Sequence, residues 1–291
     1  MHDADAERIH LAVGERPVSL EPARGHGAPS NRRWIARFAD GSTAFAKTAA
    51  FDDTAEWLRI EHTNHEALAE HAYLPRLLGW HDDGLAPTLV VEDLSHGHWP
   101  PPWSTSAIDA VVETLADIHA TPLPDRIDEI FERRIWDIRE GWGPMRRAPA
   151  AALALGVFDA PWLRAHIDEL EAAADSAVLV GDTLLHCDVR SDNLCLVGGR
   201  ALLVDWNWAS RGAAVLDLAA WLPSLHHEGG PPPWTLLPGQ GPLASLLAGF
   251  FLEHAGREPI PQAPHVRQLQ LDQGRVALAW ACRELGIARP R

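Results

Sequence analysis

In the first third of the chain, apolar and polar positions alternate in short runs. Trp34-Ile35-Ala36-Arg37-Phe38 shows mixed alternation, Asp40-Gly41 is a two-residue turn signal, and Thr43-Ala44-Phe45-Ala46-Lys47 resumes the extended pattern. A polar residue and a glycine between two such runs predict a β-hairpin, because glycine supplies the positive φ that tight hairpin turns need. From Thr54 to Glu70 the period changes. Trp57, Ile60 or Glu61, Asn64 and Leu68 recur at steps of three and four, which places them on one face of a helix. After Pro87, the run Thr88-Leu89-Val90-Val91 fits a short buried strand ending at Glu92-Asp93-Leu94, although period alone does not separate so short a run from buried helix. Residues 1–95 therefore read mainly as strands and turns.

The segment His96 to Trp103 holds Pro100, Pro101 and Pro102. Proline removes a backbone donor and fixes φ, so neither sheet nor helix continues through it, and a domain boundary is placed there. Beyond it the helical period dominates. Ser104 or Ser106 is an N-cap for a stripe of Ile108, Val111, Val112, Leu115 and Ile118. Asp159 and Pro161 open a helix with Leu163, Ile167 and Leu170 on one face. Leu194 to Val204 reverts to two strands across Gly198-Gly199, and helices are predicted again from Val215 to about Leu222, from Leu243 to His254 and from Val266 to Leu285. No internal repeat interrupts this order. Strands first and helices later predict an α+β, bilobal chain, with a small β-rich lobe over 1–95 and a larger, mostly helical lobe over 96–291. The cleft between the lobes is the natural place for a ligand.

Composition narrows the classes. With 291 residues, 46% hydrophobic and 22% charged, the chain is long enough for two cores and is not a disordered sequence. Its 40 acidic and 25 basic side chains give a formal net charge of −15. That field repels phosphate backbones and attracts cationic small molecules, so nucleic acid is not an expected partner. Cys187, Cys195 and Cys282 are too few, and odd in number, for a disulfide framework. Met1-His2-Asp3-Ala4-Asp5 is unlike a signal peptide, and the longest mostly apolar stretch, Leu243 to Leu252, is far below the roughly 20 residues that span a bilayer. The expectation is a cytoplasmic protein with no membrane partner. Of the 25 basic residues, only Lys47 is a lysine. In a chain that otherwise uses arginine, a solitary ammonium marks either a place where a compact point charge is needed or a chance surface position.

The densest chemistry lies in Leu185-His186-Cys187-Asp188-Val189-Arg190-Ser191-Asp192-Asn193, followed by Asp205 within Leu202-Leu203-Val204-Asp205-Trp206. Phosphoryl transfer uses these groups in this order: a carboxylate that orients the attacking hydroxyl and accepts its proton, then an amide oxygen and a second carboxylate that hold Mg²⁺ against the phosphates. The intervening hairpin returns Asp205 to the neighbourhood of Asn193. Two unit charges 4 Å apart interact by about 4 kcal/mol at an effective dielectric near 20, so clustered carboxylates here call for a bound cation. Blander readings stand beside this one. Asp188 is a turn cap; His186 bonds to backbone; His226-His227-Glu228 is a solvated helix end; Pro231-Pro232-Pro233 is a stiff connection; the 13 tryptophans are mostly packing. His186, Cys187 and Cys195 suggest zinc, but no C-x-x-C or H-x-x-x-H spacing supports it.

His-x-Asp-x-x-x-x-Asn, followed by an apolar strand ending in Asp-Trp, resembles the aminoglycoside phosphotransferase and choline kinase group within the protein-kinase-like fold. The resemblance extends over most of the chain and is most specific over residues 184–222. It implies that Arg24 to Arg32 covers a nucleotide, with Ser30 and Asn31 at the loop's end, and that Lys47 binds the phosphates. It further implies that Glu61, or Glu66 as the alternative, pairs with Lys47, and that Glu92 to Leu94 is a hinge whose backbone binds adenine. Asp188 is then the catalytic residue, Asn193 and Asp205 hold Mg²⁺, and Asp217 is a structural aspartate. ATP, or GTP in its place, and Mg²⁺ are the implied cofactors. The chain departs from the family's pattern in four places. It has no G-x-G-x-x-G, Cys187 stands where glycine is common, Asn207 follows Trp206 where several antibiotic kinases carry an acid, and the Ala288-Arg289-Pro290-Arg291 end lacks the acidic tail of some aminoglycoside-modifying members.

What the resemblance implies is an ATP-dependent kinase for a hydroxyl of an aminoglycoside-like antibiotic or related amino sugar, an antibiotic-resistance activity. A nucleoside antibiotic, a sugar or an amino alcohol is the alternative acceptor. A non-catalytic pseudokinase and a zinc hydrolase are rivals from other classes. No clear activation segment lies between Asp205 and Asp217, which argues against protein acceptors.

Overall fold

The computed structural model describes residues 2–23, 31–127, 129–135, 137–261 and 263–290. The chain runs α1 (His2–Val13), β1 (Ser19–Pro22), β2 (Asn31–Arg37), β3 (Thr43–Ala49), α2 (Asp52–Ala67), β4 (Leu77–His81), β5 (Thr88–Glu92), α3 (Thr105–Ala120), α4 (Phe131–Arg134), α5 (Trp142–Arg147), α6 (Ala150–Ala154), α7 (Ala160–Asp175), β6 (Thr183–Leu185), β7 (Leu194–Val197), β8 (Arg200–Leu203), β9 (Ser210–Gly212), α8 (Val215–His227), α9 (Pro233–Leu236), α10 (Gly241–Ala255) and α11 (Val266–Leu285). Two compact units share these elements. One is Met1–Pro100 with Thr105–Asp128 and Ser191–Ala209; the other is Pro101–Ser104 with Glu129–Arg190 and Ser210–Arg291.

The first unit is built on an antiparallel five-stranded sheet in the order β1-β2-β3-β5-β4. The predicted hairpin is β2–β3, in which Trp34 faces Ala46 and Arg33 faces Lys47, and Asp40 closes its turn by accepting from the Ser42 N–H at 2.8 Å. Alternation sends Trp34, Ala36, Ala44, Ala46 and Val90 to one face, where Ile9 of α1 joins them. It sends Ala49, Leu89 and Val91 to the other, against Ala55 and Leu58 of α2. Lys47 shares this second face by strand period, which points it toward α2.

Helix α1 is an addition to the strands and turns expected over residues 1–95, which the five-stranded sheet otherwise bears out. Its inward face carries a carboxylate as well as an apolar side chain. Asp5, buried, accepts from Arg32 Nε at 2.9 Å and from the Trp34 indole at 3.0 Å, so the apolar stripe that would announce the helix is interrupted. The helix lies close on β4, where a Cβ added at Gly79 would stand 2.3 Å from the Ala12 carbonyl oxygen.

The predicted second hairpin is β7–β8, turning through Gly198 and Gly199 at φ 59° and 83°. It belongs to the first unit because its edges are taken up there. Leu203 N–H donates to the Tyr73 carbonyl at 2.8 Å, Thr114 Oγ1 to the Ala201 carbonyl at 3.1 Å, and Leu196 and His98 exchange backbone bonds.

The second unit is mainly helical, with β6 and β9 paired antiparallel. Asp159 caps α7 by accepting from the Trp162 N–H at 2.8 Å, with Pro161 in the first turn, as its residues predict. Helix α8 outruns its predicted end near Leu222 and continues through Pro223 to His227. One missing donor is tolerated there because Trp221 to Leu225 are buried. Helices α4 to α6 are too short to show a period, and α9 begins inside the proline run read as a plain connection.

Candidate active site

Lys47 lies on β3 and Glu61 on α2, both buried. Lys47 Nζ donates to Glu61 Oε1 at 2.7 Å and also to Asp205 Oδ1. Burial works against the ammonium's charge, and the carboxylates of Asp205 and Glu61 together outweigh it, holding its pKa above that of an ordinary lysine. The solitary lysine is thus no chance surface residue. Glu66, the alternative partner, faces Arg126 at 3.1 Å instead. Arg33 also acts electrostatically on Glu61, so Lys47 does not face the two carboxylates by itself.

Asp205 reaches this pair through the β7–β8 hairpin. Leu194 opposes Leu203 in the ladder, so the residues just outside it, Asn193 and Val204, are also opposed, and the Val204 N–H donates to the Asn193 carbonyl at 3.0 Å. Asn193 is buried. Asp205 then takes a left-handed conformation, φ 62° and ψ 56°, ahead of a 3₁₀ turn over Trp206–Trp208. Aspartate enters this conformation more readily than most non-glycine residues, at up to about 1–2 kcal/mol, and here its neighbours hold it there. One imposing contact was not singled out for chemistry in the sequence. Asn64, buried on α2, donates from Nδ2 to the Trp206 carbonyl at 2.7 Å. Its signal was there to find, since a polar residue occupied a position where the helical period calls for an apolar one.

In the second unit, Asp188 lies in the loop that follows β6. Its backbone N–H donates to His186 Nδ1 at 3.2 Å, and Arg190 Nε stands 3.6 Å from its Oδ1. His186 is buried, and it bonds to backbone as its blander reading has it. The loop is held from α8, where Asp217 Oδ2 accepts from the His186 N–H at 2.9 Å and Oδ1 from the Cys187 N–H at 2.8 Å. Cys187 has φ 67°, a conformation that glycine takes at no steric cost, and its Sγ lies 2.9 Å from Ser210 Oγ.

At the end of β5, the Glu92 N–H donates to the Arg76 carbonyl at 2.9 Å, and the Leu94 carbonyl accepts from the Gly97 N–H at 3.0 Å. Ser30 lies outside the described residues, as does most of the loop predicted to cover the nucleotide. Asn31 opens β2, and its buried Oδ1 has no hydrogen-bond partner among the described residues. For zinc the residues are unsuited. Burial pushes the Cys195 thiol up to about 12, far from the thiolate a metal takes, and among the described residues no cluster of three or more His, Cys, Asp or Glu is arranged around a common point. A hard divalent cation fits better, since Asn193 and Asp205 bring oxygen donors.

Solved structures of this architecture are protein-kinase-like. An aminoglycoside-3'-phosphotransferase of type VIII is 21% identical, with a TM-score of 0.53 over 94% of this chain and 99% of that one. A choline/ethanolamine kinase family protein from Mesorhizobium loti is 14% identical, with a TM-score of 0.59 over 97% and 98%. An amicoumacin kinase, hAmiN, in complex with AMP-PNP, Ca²⁺ and Ami, is 12% identical, with a TM-score of 0.55 over 94% of each chain. These define the class, a protein-kinase-like fold. The chain belongs to the phosphotransferase enzyme family (APH), whose family model matches residues 24–242, and it is a phosphotransferase. No curated protein matches it. Among the described residues, no helix is long and apolar enough to cross a membrane.

Proposed function

We propose that the protein transfers the γ-phosphoryl group of ATP, or of GTP in its place, to a hydroxyl of an aminoglycoside-like antibiotic or related amino sugar in the cytoplasm. The observation that carries this reading is the burial of the chain's one lysine between Glu61 and Asp205. Lys47 binds nucleotide phosphates as a compact charge held by Glu61. Asn31, whose Oδ1 has no hydrogen-bond partner among the described residues, and Ser30 are assigned to the end of the nucleotide loop. The Glu92 carbonyl and the Leu94 N–H recognise the base, the Leu94 carbonyl being already engaged. Asn193 and Asp205 hold Mg²⁺. Bound there, Mg²⁺ supplies charge neutralisation for the phosphoryl group in transfer. Asp188, set by its loop, accepts the hydroxyl proton at its carboxylate and orients the attacking oxygen.

The net charge of −15 supports a cationic acceptor, which favours an amino sugar over a neutral sugar or nucleoside and leaves an amino alcohol as the second reading. The purified protein is incubated with Mg²⁺-ATP and a panel of aminoglycosides, amino alcohols, nucleosides and sugars, and acceptor mass and ADP release are followed. A gain of one phosphate on an aminoglycoside supports the reading. Transfer only to an amino alcohol selects the second. Nucleotide binding without transfer to any acceptor would leave a pseudokinase.

A further inference from the structure

The helical stripe of α2 carries more than packing. Trp57, Glu61, Asn64 and Leu68 follow at steps of four, three and four, one continuous face of a helix. Leu68 anchors the face in the core. Each of the other three touches something different. Glu61 takes the ammonium of Lys47 at 2.7 Å, Asn64 donates to the Trp206 carbonyl at 2.7 Å, and the Trp57 ring lies 6.1 Å from that of Trp208. Trp206 and Trp208 bound the 3₁₀ turn that begins directly after Asp205. Within the turn, the Asn207 amide bridges the Asp205 carbonyl at 3.1 Å and the Trp208 indole at 3.2 Å, with its oxygen toward the indole. One face of α2 therefore grips both sides of the Lys47–Asp205 contact, the lysine through Glu61 and the aspartate through the turn that follows it.

We infer that Asn64 is a positioning residue for Asp205: by holding the Trp206 carbonyl it keeps the strained Asp205 backbone in the left-handed conformation that presents its carboxylate to the metal and to Lys47. The inference rests on the reading of Asp205 as a metal ligand. Removing the donor leaves the Trp206 carbonyl with the longer bond from the Ala209 N–H, 3.4 Å, and lets the turn relax toward ordinary φ, which moves the Asp205 carboxylate away from where a divalent cation needs it. Asn64 touches no nucleotide group in this assignment. Its loss is expected to appear in the metal-dependent part of nucleotide binding and not in the metal-independent part.

The test is calorimetric titration with AMP-PNP, with and without Mg²⁺, on the wild type, Asn64→Leu and Asn64→Gln. Loss of one buried hydrogen bond predicts that Asn64→Leu gives up about tenfold of the affinity that Mg²⁺ adds. Its metal-free affinity should stay at the wild-type value, and Asn64→Gln, which keeps an amide donor, should recover part of the loss. A lowered melting temperature with the Mg²⁺ gain intact makes Asn64 merely structural and overturns the inference. If Asn64→Leu does not fold, Asn64→Ser, whose side chain is too short to keep the bond to the Trp206 carbonyl, is titrated in its place, and an unchanged Mg²⁺ gain there overturns the inference equally. A wild type that binds AMP-PNP no better with Mg²⁺ than without overturns the metal role of Asp205 and the inference with it. That outcome is distinct from a wild-type gain that Asn64→Leu retains, which sinks the inference alone.

Discussion

Asp217 Oδ1 accepts the backbone N–H of Cys187 at 2.8 Å, fastening the residue that precedes Asp188 to the first turn of α8. The second carboxylate oxygen takes the His186 N–H, so one buried side chain fixes two successive peptide groups of the loop. Asp217→Asn turns an acceptor into a donor facing an N–H. The expected result is a loss of about 1–3 kcal/mol of stability by urea unfolding, with turnover falling more steeply than nucleotide affinity. Unchanged stability would show that the loop is held by other contacts.

Cys187, with φ 67°, sits where a Cβ is a handicap and a β-branched side chain is worse. Cys187→Gly should therefore stay within about 1 kcal/mol of the wild type, the relief of strain offsetting the chain entropy and the lost Ser210 contact. Cys187→Val should lose about 2 kcal/mol. Equal stability of the two variants by thermal melting contradicts the conformational account.

Lys47 is held by geometry as well as charge. Lys47→Arg keeps the charge but brings a planar fork into a buried site shaped for an ammonium between Glu61 and Asp205. Stabilisation of the protein by AMP-PNP in a thermal melt is expected to disappear in Lys47→Arg. Full stabilisation would mean that the nucleotide does not use this position.

His65 follows Asn64 on α2, and burial, then the nearby Lys47 charge, bring its pKa down to about 3 from 6.5. The unfolded chain takes up this proton below about 6.5 while the native state does not. The group's contribution to stability is therefore complete above that pH and is lost as the pH falls toward about 3, at up to about 1.4 kcal/mol per pH unit. Urea midpoints from pH 7 to 4 should fall less steeply for His65→Gln than for the wild type. Parallel slopes would show that His65 does protonate in the native state.

Much of this was legible in the sequence, and the failures have physical causes. Both hairpins announced themselves through a glycine-bearing turn between extended runs, α3 and α7 through one-sided apolar stripes, and α10 through a mostly apolar run that is buried nearly all round. Asp188, Asn193 and Asp205 stood out because phosphoryl-transfer chemistry constrains residue type and order. Helix α1 was missed because its buried face contains Asp5, which is satisfied by Arg32 and Trp34 from a strand distant in sequence. The edge strands β1 and β4 are short, β1 largely exposed and β4 mostly half-buried, and so lack alternation. Asn64 was visible as a member of the α2 stripe, but its partner is a backbone carbonyl, which leaves no mark in a sequence.

The most direct test pairs Asp188→Ala with Asp205→Ala, each measured for turnover with an acceptor that the wild type phosphorylates and for Mg²⁺-AMP-PNP binding. Asp188→Ala is predicted to lose about 10²–10⁴ in kcat with nucleotide affinity unchanged, and Asp205→Ala to lose the Mg²⁺-dependent binding itself. Wild-type turnover in Asp188→Ala would contradict the account at its centre.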